Sequence, residues 1–360
     1  MKFNYLYIKN DVFNTQKSVW TSYKNNTEQL DINSDIAKMV LTLRESKDIF
    51  EKQYGDISAF NFKRDVFYSG KWNELSKFAR GLFINTNTNK IVARGYEKFF
   101  NYNEAPFNTP AWLKQNIKFP VKVWKKYNGF LGLLGYDESR PEGDKLVFCS
   151  KSSPESSYAN WFREIFFKKF KGSIQKFEQI LKDENLCLIF EVIDPVNDPH
   201  IIEYDKENIV LLSAIKRTIK FEELSYNELV DYFVNFAFDI KIAGALTLTS
   251  FDELIQLIDE TKNDFKTPIE GYVLEDANKY MFKVKGGYYN RWKHLRQIKD
   301  TISKGRPLKM GWAQSAEENY FVDWCKHQDK QFLETSSIIQ LRKLFKKTVF
   351  LVKNLFLNEI

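Results

Sequence analysis

Lys126-Tyr127-Asn128-Gly129 places a lysine two residues before an Asn-Gly pair, between β-rich runs at 121–124 and 130–135. By itself the tetrapeptide reads as an exposed hairpin turn, because Asn and Gly favour turns. Charged residues elsewhere give it more meaning. Arg80 precedes Gly81, Lys98 opens Lys98-Phe99-Phe100-Asn101, and Lys151 stands between Ser150 and Ser152. Glu191 follows Phe190 at the end of an apolar run, and Glu270-Gly271-Tyr272-Val273 comes shortly before Lys283-Val284-Lys285. In a strand, residues 283 and 285 point to the same side. Two cations aimed together argue for a polyanion held between them. A lysine is a nucleophile only when neutral, and neighbouring cations push it toward that state. Lys151, Lys283 and Lys285, if they converge on Lys126, would activate it and stabilise charge on reacting phosphates. Ordinary surface charge is the plain reading of Arg80 and Lys98, and a structural ion pair is the plain reading of Glu270.

These residues need elements to position them. Apolar residues at helical spacing (Leu30, Ile32, Ile36, Met39, Val40, Leu43) predict a helix over 28–53. Short β-rich runs follow at 81–85, 90–94, 121–124, 130–135, 145–149, 187–193, 208–214, 270–275 and 279–285, with helical stretches at 155–182 and 225–236. Strands of this length without regular β-α alternation predict an α+β fold with antiparallel sheets. Strand signals stop after about 290. Residues 336–357 read as a basic amphipathic helix, with Leu341, Leu344, Phe345, Phe350 and Leu351 against Lys343, Lys346, Lys347 and Lys353. The expected organisation is one domain over 1–292 and a small helical C-terminal domain over 293–360, a candidate for RNA contact.

Composition narrows the partners. Lys and Arg number 54 against 47 Asp and Glu, a formal net charge of +7, which leans toward a polyanion. Hydrophobic residues at 43% and charged residues at 28% argue against long disorder. The 32 Phe and 18 Tyr, many beside Lys as in Lys168-Lys169-Phe170, suit core edges and also a surface where bases stack between phosphate contacts. Three widely spaced cysteines (Cys149, Cys187, Cys325) read as reduced thiols rather than a zinc module. The first residues carry no long apolar run, so no signal peptide is expected, and no stretch approaches the length of a membrane span. The expected location is intracellular, in the host cell if the protein is viral.

The ordered set of charged motifs resembles the covalent nucleotidyltransferase superfamily of ligases and capping enzymes. Within it, the sequence is similar to the phage-type RNA ligase 1 family and to the adenylyltransferase module of fungal tRNA ligases. Ala79-Arg80-Gly81-Leu82-Phe83 and Glu97-Lys98-Phe99-Phe100-Asn101, both upstream of Lys126, carry that narrower resemblance, which runs from about 78 to 292. It implies a nucleotidyltransferase fold, ATP-grasp-like in the broad sense of ligases. It also implies that Lys126 attacks the α-phosphate of ATP, that Glu191 accepts a hydrogen bond from the AMP ribose, and that Glu270 helps to hold Mg2+ or Mn2+. Arg80, Lys98, Lys126, Gly129, Lys151, Glu191, Glu270, Lys283 and Lys285 would form the nucleotide site, with Lys126, Glu270, Lys283 and Lys285 as its catalytic residues. Asn128 departs from the superfamily's usual Asp and agrees with the fungal branch.

The implied reaction joins RNA 5′-phosphate and 3′-OH ends through lysyl-AMP and RNA-adenylate intermediates, in repair or splicing of tRNA or similar broken RNA. The sequence contains no P-loop, so separate end-healing kinase and phosphatase enzymes are expected as partners. Two rival readings make different predictions. A capping-type guanylyltransferase or a DNA ligase would differ in nucleotide or substrate, and an inactive RNA-binding relative would bind RNA in a salt-sensitive way without a covalent adduct.

Overall fold

A computed structural model of the protein describes residues 32–236, 239–240, 243–308, 311–313 and 315–357. Helix α1 (Ile32–Glu45) leads into strands β1 (Ile49–Tyr54) and β2 (Ile57–Phe62), short helices α2 (Arg64–Ser69) and α3 (Glu74–Phe78), and strands β3 (Leu82–Asn85), β4 (Lys90–Arg94) and β5 (Phe100–Asn101). Next come α4 (Pro110–Asn116), β6 (Val121–Lys126), β7 (Phe130–Tyr136), β8 (Leu146–Ser150), α5 (Ser157–Phe170), α6 (Ile174–Asp183), β9 (Leu186–Ile193) and β10 (Asn208–Lys216). Then follow α7 (Tyr226–Phe233), β11 (Asp239–Ile240), β12 (Ala243–Leu248), α8 (Phe251–Asn263), β13 (Gly271–Glu275) and β14 (Met281–Lys285). Helices α9 (Gly287–Ser303), α10 (Ala316–Lys326), α11 (Lys330–Thr335) and α12 (Ile338–Leu357) complete the described chain.

The strands pair in the orders β1-β2-β3-β4, β11-β10-β9-β7-β8 and β12-β6-β13-β14-β5. Pairing is antiparallel apart from the two-residue strands β11 and β5. This is the α+β class with antiparallel sheets that the strand lengths predict. Strand β9 is buried along all eight residues, as a central strand covered on both faces must be. Its Leu186, Leu188, Phe190 and Val192 pack on Phe162, Phe166 and Phe177 of α5 and α6. Cys187 and Ile189 face the other way, onto Val92, Ala93 and Leu133. A full Phe burial contributes about 1.5–3 kcal/mol, so this aromatic layer dominates the core. Alternation sends Glu191 to the Ile189 side, away from the aromatic layer.

The first helix is shorter than its periodicity suggests. Ile36, Met39, Val40 and Leu43 are buried at helical spacing, but the helix stops at Glu45 and 49–54 form β1, paired with β2 from Ile49↔Phe62 to Tyr54↔Ile57. Lys52 and Gln53 are exposed on that edge strand and Glu51 is half-buried, so the strand's polar residues read as a helix surface. Arg44 and Glu51, joined at 2.7 Å, tie the helix end to the strand. Residues 28–31, with Leu30, and the N-terminal residues lie outside the described residues. At the other end, Leu341 and Phe345 of α12 are buried, whereas Leu344 is exposed and Arg342 is buried in its place. The side chains of Phe350, Leu351 and Lys353 lie outside the described residues.

Residue 292 falls within continuous helix α9. Tyr288, Trp292 and Leu295 of that helix share one apolar cluster with Phe321, Leu341, Phe345 and the Ile201-Ile202 segment. Cys149, Cys187 and Cys325 are buried free thiols. Burial pushes the Cys187 and Cys325 thiols up to about 12, so neither is a nucleophile at neutral pH. Among the described residues, no helix is long and apolar enough to cross a membrane.

Candidate active site

Strands β6 and β7 are joined by Tyr127–Gly129 but belong to different sheets. The tetrapeptide is therefore a crossover between sheets and not a hairpin turn, and Lys126 sits where the two sheets meet. Gly129 is required there: a Cβ on it would lie 2.0 Å from the Val192 carbonyl oxygen. Gly271, at φ +134°, lets β6, β13 and β14 close together, since its Cβ would lie 2.0 Å from the Val284 oxygen. In that row Lys126 pairs with Gly271 and Gly271 with Lys285. Phe282 and Val284 face the apolar cluster over α4 and α8, so Lys283 and Lys285 share the opposite face.

Lys126 Nζ lies 3.1 Å from Glu270 Oε1, and Lys285 Nζ lies 3.3 Å from the same oxygen. Asn128 Nδ2 donates to Glu270 Oε2 at 2.9 Å. The Asn128 Oδ1 accepts from the Ile201 and Ile202 amides at 3.1 and 2.9 Å, and the Asn128 amide donates to Tyr204 Oη at 3.0 Å. The Gly129 amide donates to Glu191 Oε1 at 2.8 Å. Asn128 is thus a connector, which its place in the motif alone does not disclose.

A cavity of about 500 Å³ opens beside this crossover. Arg80, Lys126, Gly129, Lys151, Glu191 and Lys283 line it, with Tyr96, Phe99, Trp124, Phe130 and Tyr158 as aromatic wall. Glu270 and Lys285 stand behind Lys126, and Lys98 stands beside Phe100, its Nζ 3.7 Å from the ring centroid. A larger cleft of about 660 Å³ lies near Asn85, Asp137 and Arg163 and contains none of these residues. Its arginines are engaged: Arg140 with Asp144 at 2.7 Å and Arg163 with Asp144 at 3.6 Å. The charged residues singled out in the sequence converge on the smaller cavity.

The electrostatics correct one expectation. The neighbouring cations do not bring Lys126 below the ordinary lysine value. Burial pulls its ammonium down, but the Glu191 and Glu270 carboxylates more than offset that and hold it above the ordinary lysine value. The reason is placement: Lys151 is coupled chiefly to Arg80, while Lys126 faces two carboxylates. The other cations are the depressed ones. Burial, then mutual repulsion with Lys98, Arg80, Lys126 and Lys285, drives Lys283 well below the ordinary range. Burial and Arg80 bring Lys151 to about 8. Lys98 falls to about 8 because burial outweighs the help of Glu104, with Arg80 and Lys151 adding to the fall. Burial raises the Glu270 carboxyl, but Lys126 and Lys285 hold it below the usual carboxylate range. Burial raises Glu191. Cations pressed together without a counter-anion are stabilised by a polyanion that enters between them.

Asp198 and His200 also line the cavity, with His200 Nε2 2.6 Å from Asp198 Oδ2. Sequence reasoning passed over them; the only available signal was their spacing across Pro199. Among the described residues, no group of three or more His, Cys, Asp or Glu is placed to hold a metal. Glu270 offers one carboxylate, already accepting from Lys126, Lys285 and Asn128. That donor set suits a divalent ion taking most of its ligands from phosphate and water, not an all-protein cage.

The chain is 25% identical over 378 aligned residues to a tRNA ligase of Candida albicans, covering 88% of this chain and 44% of that protein. It thus spans less than half the length of that relative. Among solved structures it resembles an Aquifex aeolicus protein described as an ATP-dependent DNA ligase, with TM-score 0.49, 15% identity and coverage of 89% and 80% of the two chains. It also resembles an archaeal ATP-dependent RNA ligase, with TM-score 0.48, 12% identity and coverage of 85% and 78%. The family model described as RNA ligase matches residues 78–289, from just before Arg80 to just past Lys285 and over more than half of the sequence, and the chain belongs to that phage-type RNA ligase family.

Proposed function

We propose that the protein is an ATP-dependent RNA ligase that carries AMP on Lys126. The observation that supports this best is the position of Lys126: at the junction of two sheets, 3.1 Å from Glu270, in the wall of a cavity that Arg80, Lys125, Lys151 and Lys283 also line. In the first step Lys126 Nζ gives up a proton and forms a bond to the α-phosphorus of ATP, while the bond to the β-phosphate oxygen breaks and pyrophosphate leaves. Glu270, 3.1 Å from that nitrogen, would orient it, and the proton leaves to solvent. Arg80, Lys151 and Lys283 hold the charge that accumulates on the leaving phosphates. Glu191, which accepts from the Gly129 amide, would accept from a ribose hydroxyl.

AMP then passes to the 5′-phosphate of an RNA end, freeing Lys126. A 3′-OH attacks that phosphorus, the phosphodiester forms, and AMP leaves. A divalent metal, magnesium or manganese, held by Glu270 together with substrate phosphates would supply further charge neutralisation. The tRNA ligase resemblance favours tRNA, or RNA broken like it, as the substrate. Incubation with α-labelled ATP or GTP, followed by a denaturing gel, tests the reading. Label from ATP supports it, label from GTP moves the protein to the capping type, and label from neither, after pyrophosphate treatment to strip bound AMP, removes the enzyme reading. Sealing of nicked DNA in preference to RNA would make it a DNA ligase.

A further inference from the structure

An aromatic row runs outward from the cationic end of the cavity. Phe100 meets Trp72 at 5.5 Å between ring centroids, Trp72 meets Phe67 at 6.5 Å, and Phe67 meets Tyr68 at 5.5 Å, each edge to face. Phe62 joins the row at 4.8 Å from Trp72. Exposure climbs along it, from 3% at Phe100 to 52% at Phe67 and 80% at Tyr68. Two lysines of the cationic group sit on the same rings: Lys98 Nζ is 5.1 Å from the Trp72 centroid, and Lys151 Nζ is 5.1 Å from that of Phe62. Lys63, Arg64 and Lys71 are exposed along the same segment, against one exposed acid, Asp65.

A single exposed ring needs no explanation. Two adjacent exposed rings, continuous with rings that carry the cations of the cavity, form a patterned surface. Cations that track a backbone beside rings that take bases are the features of single-stranded nucleic-acid binding. We propose that Phe67 and Tyr68 on α2 are the platform on which the bases next to the 5′-phosphate of an RNA end stack, while Lys98 and Lys151 take the phosphates. This rests on the reading of the protein as an RNA ligase, and it adds where the RNA enters.

Binding of a short 5′-phosphorylated single-stranded RNA to the full chain, followed by fluorescence anisotropy at fixed salt, tests it. Phe67→Ala and Tyr68→Ala should each weaken binding roughly tenfold, the order of one lost base stack. Tyr68→Phe should bind like the wild type, and Tyr68→Leu, apolar but without a ring, like Tyr68→Ala. ATP labelling of Lys126 in each variant reports the fold and the nucleotide site separately, with the KM for RNA rising and that for ATP unmoved. Unchanged RNA affinity in both alanine variants would overturn the platform. So would Tyr68→Ala altering only the sedimentation of the free protein, which would assign the face to a second copy of the chain. If the wild type itself takes no label from ATP, the ligase reading fails, and the platform with it. If the wild type labels and binds RNA but the variants bind equally well, the platform alone fails.

Discussion

Asn128 Nδ2 donates to Glu270 Oε2 at 2.9 Å, so the carboxylate beside Lys126 is held in place by the amide two residues after that lysine. An aspartate at 128 would aim a second carboxylate at Glu270. Like charges at that distance raise the carboxyl pKa of the pair, and Glu270 would lose both a donor and part of its negative charge. Asn128→Asp should therefore slow labelling of Lys126 by ATP roughly tenfold or more, the cost of a hydrogen bond to a charged group. Single-turnover labelling rates measure this. A rate equal to that of the wild type would show that Asn128 has no part in setting Glu270.

The same amide connects to the C-terminal helices. Arg342 Nη1 donates to the Ile201 oxygen at 2.8 Å, and the Ile201 and Ile202 amides donate to Asn128. Arg342→Met, which keeps an unbranched apolar stem and removes the guanidinium, should slow labelling on the order of fivefold. In an Asn128→Ala background it should add little further loss, because coupled residues are not additive. Additive losses would mean that α12 supports only the fold.

The pH dependence has two opposed parts. Lys126 must lose a proton and is held above the ordinary lysine value by Glu191 and Glu270, so the labelling rate at saturating ATP should rise with pH through the alkaline range. Glu191→Gln removes one of the carboxylates that raise it, so that rise should move to lower pH. Lys98 and Lys151, at about 8, are charged below that value and neutral above it. The KM for ATP should therefore increase as pH passes about 8. A flat KM between pH 7 and 9.5 would exclude these lysines from phosphate binding.

Gly271→Ala places a Cβ 2.0 Å from the Val284 oxygen at a φ of +134°. The β6-β13-β14 row has to shift, at about 1–3 kcal/mol or more. The melting temperature should fall by several degrees, and labelling should fall with it, since Lys126 and Lys285 flank that glycine. Circular dichroism melts and labelling of the same preparation check both.

Much of this was legible in the sequence, and for physical reasons. The apolar run at 187–193 reads as a strand, and in a strand Lys283 and Lys285 share a face. Arg80, Lys151, Glu191 and Lys126 stood out as charged residues at strand ends. What was hidden depended on tertiary neighbours. β1 reads as helix because Lys52 and Gln53 are exposed on an edge strand while Glu51 is held by Arg44 and Ser58, and only the tertiary neighbours reveal this. β5, two residues paired with Phe282 and Lys283, is too short to leave a periodic signal. The direction of the Lys126 shift was misjudged because sequence order does not say which charges end nearest. Asp198 and His200 were missed because their pairing is created by the loop that carries them.

The most direct measurement is mass spectrometry of the tryptic peptide containing Lys126 after incubation with ATP and magnesium, on the wild type and on Lys126→Ala. An AMP adduct on Lys126, absent from the variant, is the expected result, together with retained ability of Lys126→Ala to join RNA supplied with an adenylylated 5′ end. An adduct on another residue, or one that persists in Lys126→Ala, would contradict the assignment of the nucleophile.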